Sequence, residues 1–140
     1  MTHALQDCDN LALVNAHDNS IAYTDHVLAR SIAWLSRQAT VYDPMLLYVS
    51  DHGESLGENN MYLHGLPYAL APREQTHVPI LLWLPSKTEV ATGVTPACLQ
   101  ERRDLPLSHD NLFHTVQSLM GVSSDLLKPA LDLVAPCRSD

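Results

Sequence analysis

Apolar residues along the first third of the chain recur at helical spacing. Val14, Ile21, Leu28 and Leu35 fall seven apart, with Leu11, Ile32 and Trp34 beside them and polar residues between. This pattern predicts one helix from Asn10 to about Gln38, with Asp7 or Asp9 available to cap its start. Thr40 to Pro44 reads as a connector. Met45 to Val49 is a short continuous apolar run of the kind found in buried strands. Residues 51–77 lose all periodicity and are punctuated by Gly53, Gly57, Asn59-Asn60, Gly65, Pro67 and Pro72. A loop of that length is functional or disordered, and its content of Met61, Tyr62, Leu63, Leu66, Tyr68 and Leu70 favours an ordered functional one. Val78 to Leu84 predicts a second strand, with Pro79 marking its start or a sheet edge. Residues 86–107 read as irregular and polar. Ser108 is a candidate N-cap for a helix through Met120, stopped by Gly121, and the tail from Val122 is weakly patterned.

Helix, strand, long loop, strand, helix is an α/β order. Two strands make a poor sheet, because sheets ordinarily hold four to six. Either strands escape the pattern or the 140 residues are part of a larger domain.

Composition narrows the function. The chain has 46% apolar residues, enough for a core, and 16 acidic against 8 basic side chains, a net charge of −8. That balance argues against nucleic acid, which requires a basic surface. No apolar run approaches the length that spans a bilayer, and the first residues lack the basic and apolar regions of a signal peptide. Cys8, Cys98 and Cys137 are too scattered for a structural zinc cluster.

The candidate chemistry sits where the first strand ends. Asp51-His52-Gly53-Glu54-Ser55-Leu56-Gly57-Glu58 follows the apolar run directly, so a hard oxygen and a borderline nitrogen emerge together at a strand's C-terminal end. That edge is where open α/β sheets bind ligands, and the mixture of donors suits zinc. Gly53 and Gly57 would let the backbone turn away afterwards. His64, twelve residues after His52, can fold back over the same pocket as a further ligand, a phosphate contact or a general acid. It can equally pack as a loop histidine on Tyr62 or Tyr68. Glu54 and Glu58 are candidates to accept the second ring proton of a metal-bound histidine, against a solvated alternative. His77 reads as structural. His17 and His26 fall on the polar side of the first helix, and His109 and His114 read as capping or surface residues. Asp25-His26 repeats the dipeptide in mid-helix without glycine and is discounted. No nucleophile elbow or phosphate-cradling glycine loop is present.

Ser50 to Leu84, SDHGESLGENNMYLHGLPYALAPREQTHVPILLWL, closely resembles the catalytic-domain segment of the phosphoethanolamine–lipid A transferases. These are integral-membrane enzymes of the alkaline phosphatase/sulfatase superfamily, linked to polymyxin resistance. The resemblance extends through LVNAHDNSIAYTDHVLARSIAWL upstream and LSHDNLFHTVQSLMGV downstream. It implies an alkaline phosphatase/sulfatase-like α/β/α sandwich, of which residues 1–140 would be one partial domain, the C-terminal portion with an incomplete sheet. The transmembrane domain and the first half of the catalytic domain would lie outside it. It further implies a monomer whose catalytic domain lies in the periplasm, held at the bacterial inner membrane by N-terminal helices.

The implied reaction is zinc-dependent. A threonine nucleophile takes phosphoethanolamine from phosphatidylethanolamine and passes it to a lipid A phosphate. Asp51 and His52 match two zinc ligands, and His64 matches a histidine that contacts the transferred group or a second zinc. The threonine and an upstream acidic ligand have no counterpart in these residues, so turnover by the fragment alone is not expected. Where the family often has glycine, this chain has Asn60, the next best residue for a left-handed turn. A family partner for Cys8 a few residues upstream is also missing. Cys98 and Cys137 could pair with each other in an oxidising compartment. Cys98-Leu99-Gln100-Glu101-Arg102 resembles the Cys-x-Pro-x-Arg segment that sulfatases convert to formylglycine, but Gln100 replaces the proline and the segment follows the metal pair, so it is set aside. The alternatives are a transferase acting on another glycan or core acceptor, a sulfatase-like phosphohydrolase, or a non-catalytic remnant module.

Overall fold

The computed structural model describes residues 4–139. They form two compact units. One comprises the residues up to Leu35 together with Leu46–Trp83, and the other Ser36–Met45 together with the residues from Leu84 onward.

In the first unit, α1 (Asn10–Gln38) begins at the predicted place. Asp9 supplies the cap, its Oδ2 accepting the Ala12 N–H at 3.2 Å. Uninterrupted by glycine or proline, the helix runs 29 residues. Val14, Leu28 and Leu35 lie on a half-buried stripe, but Ile21 is 55% exposed and no residue of the helix is fully buried. His17 sits on that stripe and not on the polar side expected for it, whereas His26 is exposed.

Strands β1 (Leu46–Val49) and β4 (Ile80–Trp83) pair antiparallel, with Leu46 opposite Trp83 and Val49 opposite Ile80. Pro79 lies just before β4, where its missing N–H costs no ladder bond, and its carbonyl accepts from the Ser50 N–H at 3.3 Å. The segment between them carries short elements that the sequence pattern does not reveal. β2 (Ser55–Leu56) and β3 (Tyr62–Leu63) make a tight antiparallel hairpin, and α2 (Arg73–Thr76) is a single turn.

The second unit holds the core. Val94 and Val134 are fully buried, with Leu119 and Cys137 beside them among the buried apolar residues. Three helices build it: α3 (Ser86–Thr92), α4 (Pro96–Glu101) and α5 (Asp110–Leu119). The first two occupy the stretch expected to be irregular, and they are too short to show a period. Ser108 does start α5: its Oγ accepts the Asp110 N–H while Asn111 Oδ1 accepts the Ser108 N–H at 2.8 Å, a reciprocal cap. Gly121, at φ 66°, ends it.

The weakly patterned tail is ordered by polar groups. Thr115 Oγ1 accepts the Leu133 N–H at 3.0 Å, and Asn111 Nδ2 donates to the Leu131 carbonyl at 2.9 Å. His114, expected at the surface, is buried because its Nδ1 accepts the Lys128 N–H at 3.1 Å. Arg138 donates to the Thr92 and Ser118 carbonyls, satisfying the C-terminal ends of α3 and α5 with one guanidinium. Cys98 and Cys137 form a disulfide across 39 residues, while Cys8 is free and exposed.

Cross-linking residues that far apart removes roughly 4 kcal/mol of chain entropy from the unfolded state. A C98S/C137S double variant should therefore lose about 3–4 kcal/mol in urea unfolding followed by circular dichroism. A loss below about 1 kcal/mol would show that other contacts hold the tail.

Candidate metal centre

The candidate residues gather on the chain between β1 and β3. β1 delivers Asp51 and His52 just past its end, and the backbone then enters a close contact. Gly53 N–H donates to the Gln75 carbonyl at 3.0 Å, and a Cβ on Gly53 would collide with the Glu74 carbonyl. Gln75, buried, donates through Nε2 to the buried Ser55 Oγ at 2.9 Å. Glycine at 53 is thus required by close approach and not for turning. The turn belongs to Gly57, at φ 123°. Asn59 and Asn60, at φ 52° and 60°, are left-handed as that residue type allows, and Leu63 at φ 61° is a strained exception immediately before His64.

Ring orientations follow from hydrogen bonds. Ser50 Oγ donates to the His52 carbonyl at 2.9 Å, and Asp51 Oδ1 accepts the His52 N–H at 3.1 Å. His52 Nδ1 lies 3.1 Å from the Gly53 carbonyl, which can only accept, so Nδ1 carries a proton. Its Nε2 stands 3.6 Å from Asp51 Oδ2. In the neutral Nδ1–H form of the ring, Nε2 turns a lone pair towards that anionic oxygen, an arrangement that a cation would stabilise. Donors around a tetrahedral zinc stand roughly 3.3 Å apart, so the pair fits such an ion.

His64 folds back as the spacing allowed. Its ring stacks on His52, with centroids 3.5 Å apart and planes inclined by 25°. Packing against Tyr62 or Tyr68 is not what holds it. Glu54 does, its Oε1 lying 2.8 Å from His64 Nδ1 and 3.8 Å from His52 Nδ1. One ligand atom from each of His52, Glu54 and His64 lies within 4.8 Å of the others, a grouping that could hold a metal. At 2.8 Å, however, the Glu54–His64 contact has the length of a hydrogen bond and is short for two donors on one ion.

Glu58, the other candidate acceptor, instead takes the Leu56 N–H at 2.7 Å and braces the hairpin. Gln75 and Ser55 gave no signal in sequence, since a polar residue in a loop has no period to betray its burial. His77 is exposed at the end of α2. Cys98 is spent in a disulfide, which closes the formylglycine reading.

A strand ending in an acid and an imidazole, with a histidine folded back beside them, is an arrangement that could hold a metal ion. The chain belongs to the sulfatase family, whose sequence profile matches residues 3–122. It is 44% identical over 138 residues to the phosphoethanolamine transferase EptA of Salmonella typhimurium, covering 98% of this chain and 25% of that protein. The integral membrane lipooligosaccharide phosphoethanolamine transferase A of Neisseria meningitidis superposes with a TM-score of 0.91 at 38% identity, over 97% of this chain and 26% of that one. The C-terminal periplasmic domain of phosphoethanolamine transferase EptC from Campylobacter jejuni matches with a TM-score of 0.83 at 41% identity, over 99% of this chain and 43% of that one. The chain therefore spans about a quarter of the length of the curated relative it matches. Its α/β architecture, with an incomplete sheet, is that of the phosphoethanolamine transferase soluble domain.

Gly53→Ala should displace the segment that carries Asp51, His52 and Glu54, lowering stability by about 1–3 kcal/mol. In ¹H–¹⁵N spectra the amides of residues 52–56 and 74–76 should shift together. An unperturbed spectrum would show that the close contact is not required.

Proposed function

We propose that this chain is the C-terminal portion of the catalytic domain of a zinc-dependent transferase that moves phosphoethanolamine from phosphatidylethanolamine to a lipid A phosphate. The observation that carries the reading is the facing pair Asp51 Oδ2 and His52 Nε2, 3.6 Å apart, in a family whose relatives are phosphoethanolamine transferases. Asp51 and His52 are the proposed zinc ligands. Bound there, zinc lowers the pKa of a coordinated hydroxyl and neutralises phosphoryl charge.

The chain's own residues orient the donors. The Gly53 carbonyl fixes the tautomer of His52, and Asp51 is exposed enough for a ligand to reach it. His64, 45% exposed in its side chain and stacked on His52, is proposed to contact the transferred group or a second zinc. Catalytic zinc sites ordinarily have three protein ligands. The remaining ligand and the nucleophilic threonine are therefore expected from sequence outside these 140 residues, and the chain alone is not expected to turn over. We place the parent protein at the bacterial inner membrane, with this portion in the periplasm and functioning as a monomer. Support comes from the integral-membrane and periplasmic relatives. Among the described residues no helix is long and apolar enough to cross a membrane.

Two measurements test the reading. Zinc titrated into the 140-residue chain should bind weakly, and Asp51→Ala or His52→Ala should abolish that binding. Tight binding with four protein ligands would refute the partial-site reading. In the full-length protein, His52→Ala should eliminate the phosphoethanolamine adduct on lipid A seen by mass spectrometry, and an unchanged lipid profile would remove His52 from the site.

A further inference from the structure

The geometry points to Glu54 as a positioning residue that fixes the tautomer of His64, leaving His64 Nε2 as a bare lone pair beside that of His52. This deepens the proposed reading of the site and rests on it. A carboxylate can only accept, so the 2.8 Å contact requires the proton on His64 Nδ1. In a neutral imidazole the other nitrogen is then an acceptor. His52 reaches the same state by another route, through the main-chain carbonyl of Gly53. The two stacked rings therefore share one polarity, set once by backbone and once by Glu54.

Glu54 is built for this task. Gly53 is seated on the Glu74 and Gln75 backbone and Ser55 is tied to the Gln75 side chain, so the residue between them has little freedom. Its side chain is largely shielded, 27% exposed, and Oε2 is buried without a hydrogen-bond partner. Oε1 faces both imidazoles. On the opposite side of His64, the left-handed Leu63 backbone delivers the ring at a cost in strain.

The test is ¹⁵N imidazole spectroscopy on the 140-residue chain, above the titration range of its histidines, with His64 assigned by its absence in His64→Gln. In the wild-type chain His64 should be in the Nδ1–H form. In Glu54→Ala it should revert towards the Nε2–H form that free histidine prefers, while His52, held by the Gly53 carbonyl, stays Nδ1–H. Glu54→Gln keeps the volume but offers an amide that can accept from or donate to Nδ1, so its His64 should populate both tautomers, which provides the reading should the alanine variant fail to fold. A wild-type His64 in the Nε2–H form, or a Glu54→Ala chain that keeps Nδ1–H, overturns the assignment. In the full-length protein Glu54→Ala should lower kcat by about 10–100-fold with KM nearly unchanged, and Glu54→Gln should recover part of it. If Glu54→Ala shifts the tautomer but leaves turnover intact, the positioning role is overturned. If His52→Ala also leaves turnover intact, it is the proposed function that fails.

Discussion

One contact between two stretches of backbone governs the site. Gly53 sits so close to the Glu74 carbonyl that no side chain fits, and its N–H is paired to the next carbonyl along. Everything that carries chemistry is within two residues of that point or is held by something that is. Asp51 and His52 precede it and Glu54 follows it, and His64 is reached through Glu54. Side-chain hydrogen bonds alone would leave these groups several rotamers each. A backbone clamp removes that freedom before any ligand arrives, and small errors in donor placement are costly at such sites. The buried Gln75–Ser55 bond closes the other side of the clamp.

The second unit solves a different problem. Its apolar core is small, and much of its order comes from polar atoms: Thr115, Asn111 and His114 each bond the tail's backbone. Arg138 finishes two helices at once, and the disulfide ties the tail to α4. Buried backbone groups must be paired, and a tail with only two short 3-10 turns among its described residues takes several of its partners from side chains. That demand explains why a buried histidine and a buried threonine, His114 and Thr115, accompany so few buried aliphatics.

What was legible in the sequence followed length and period. α1 and α5 have enough turns for the pattern to repeat, and their caps at Asp9 and Ser108 were visible as residue types. β1 and β4 were visible as apolar runs. α3 and α4, at seven and six residues, are shorter than two full turns and carried no period. The hairpin of β2 and β3 rests on left-handed residues, of which Asn59 and Asn60 could be anticipated and Leu63 could not. The proposed ligand pair, Asp51 and His52, is legible from its position at a strand end, a local property. Which histidine Glu54 would meet is not legible in the sequence, because the fold-back of His64 depends on tertiary contacts that spacing permits but does not impose. His114 was missed for the same reason.

The disulfide and the proposed donors belong to different units. The disulfide lies wholly in the second unit, while the donors at residues 51–64 are carboxylates and imidazoles with no sulfur among them. Thiolate ligands would be consumed by the same oxidising conditions that close Cys98 to Cys137. Oxygen and nitrogen donors are indifferent to those conditions. Oxidation can therefore brace the scaffold while leaving the proposed ligands unaltered, a separation that suits a metal site to life outside the reducing cytosol.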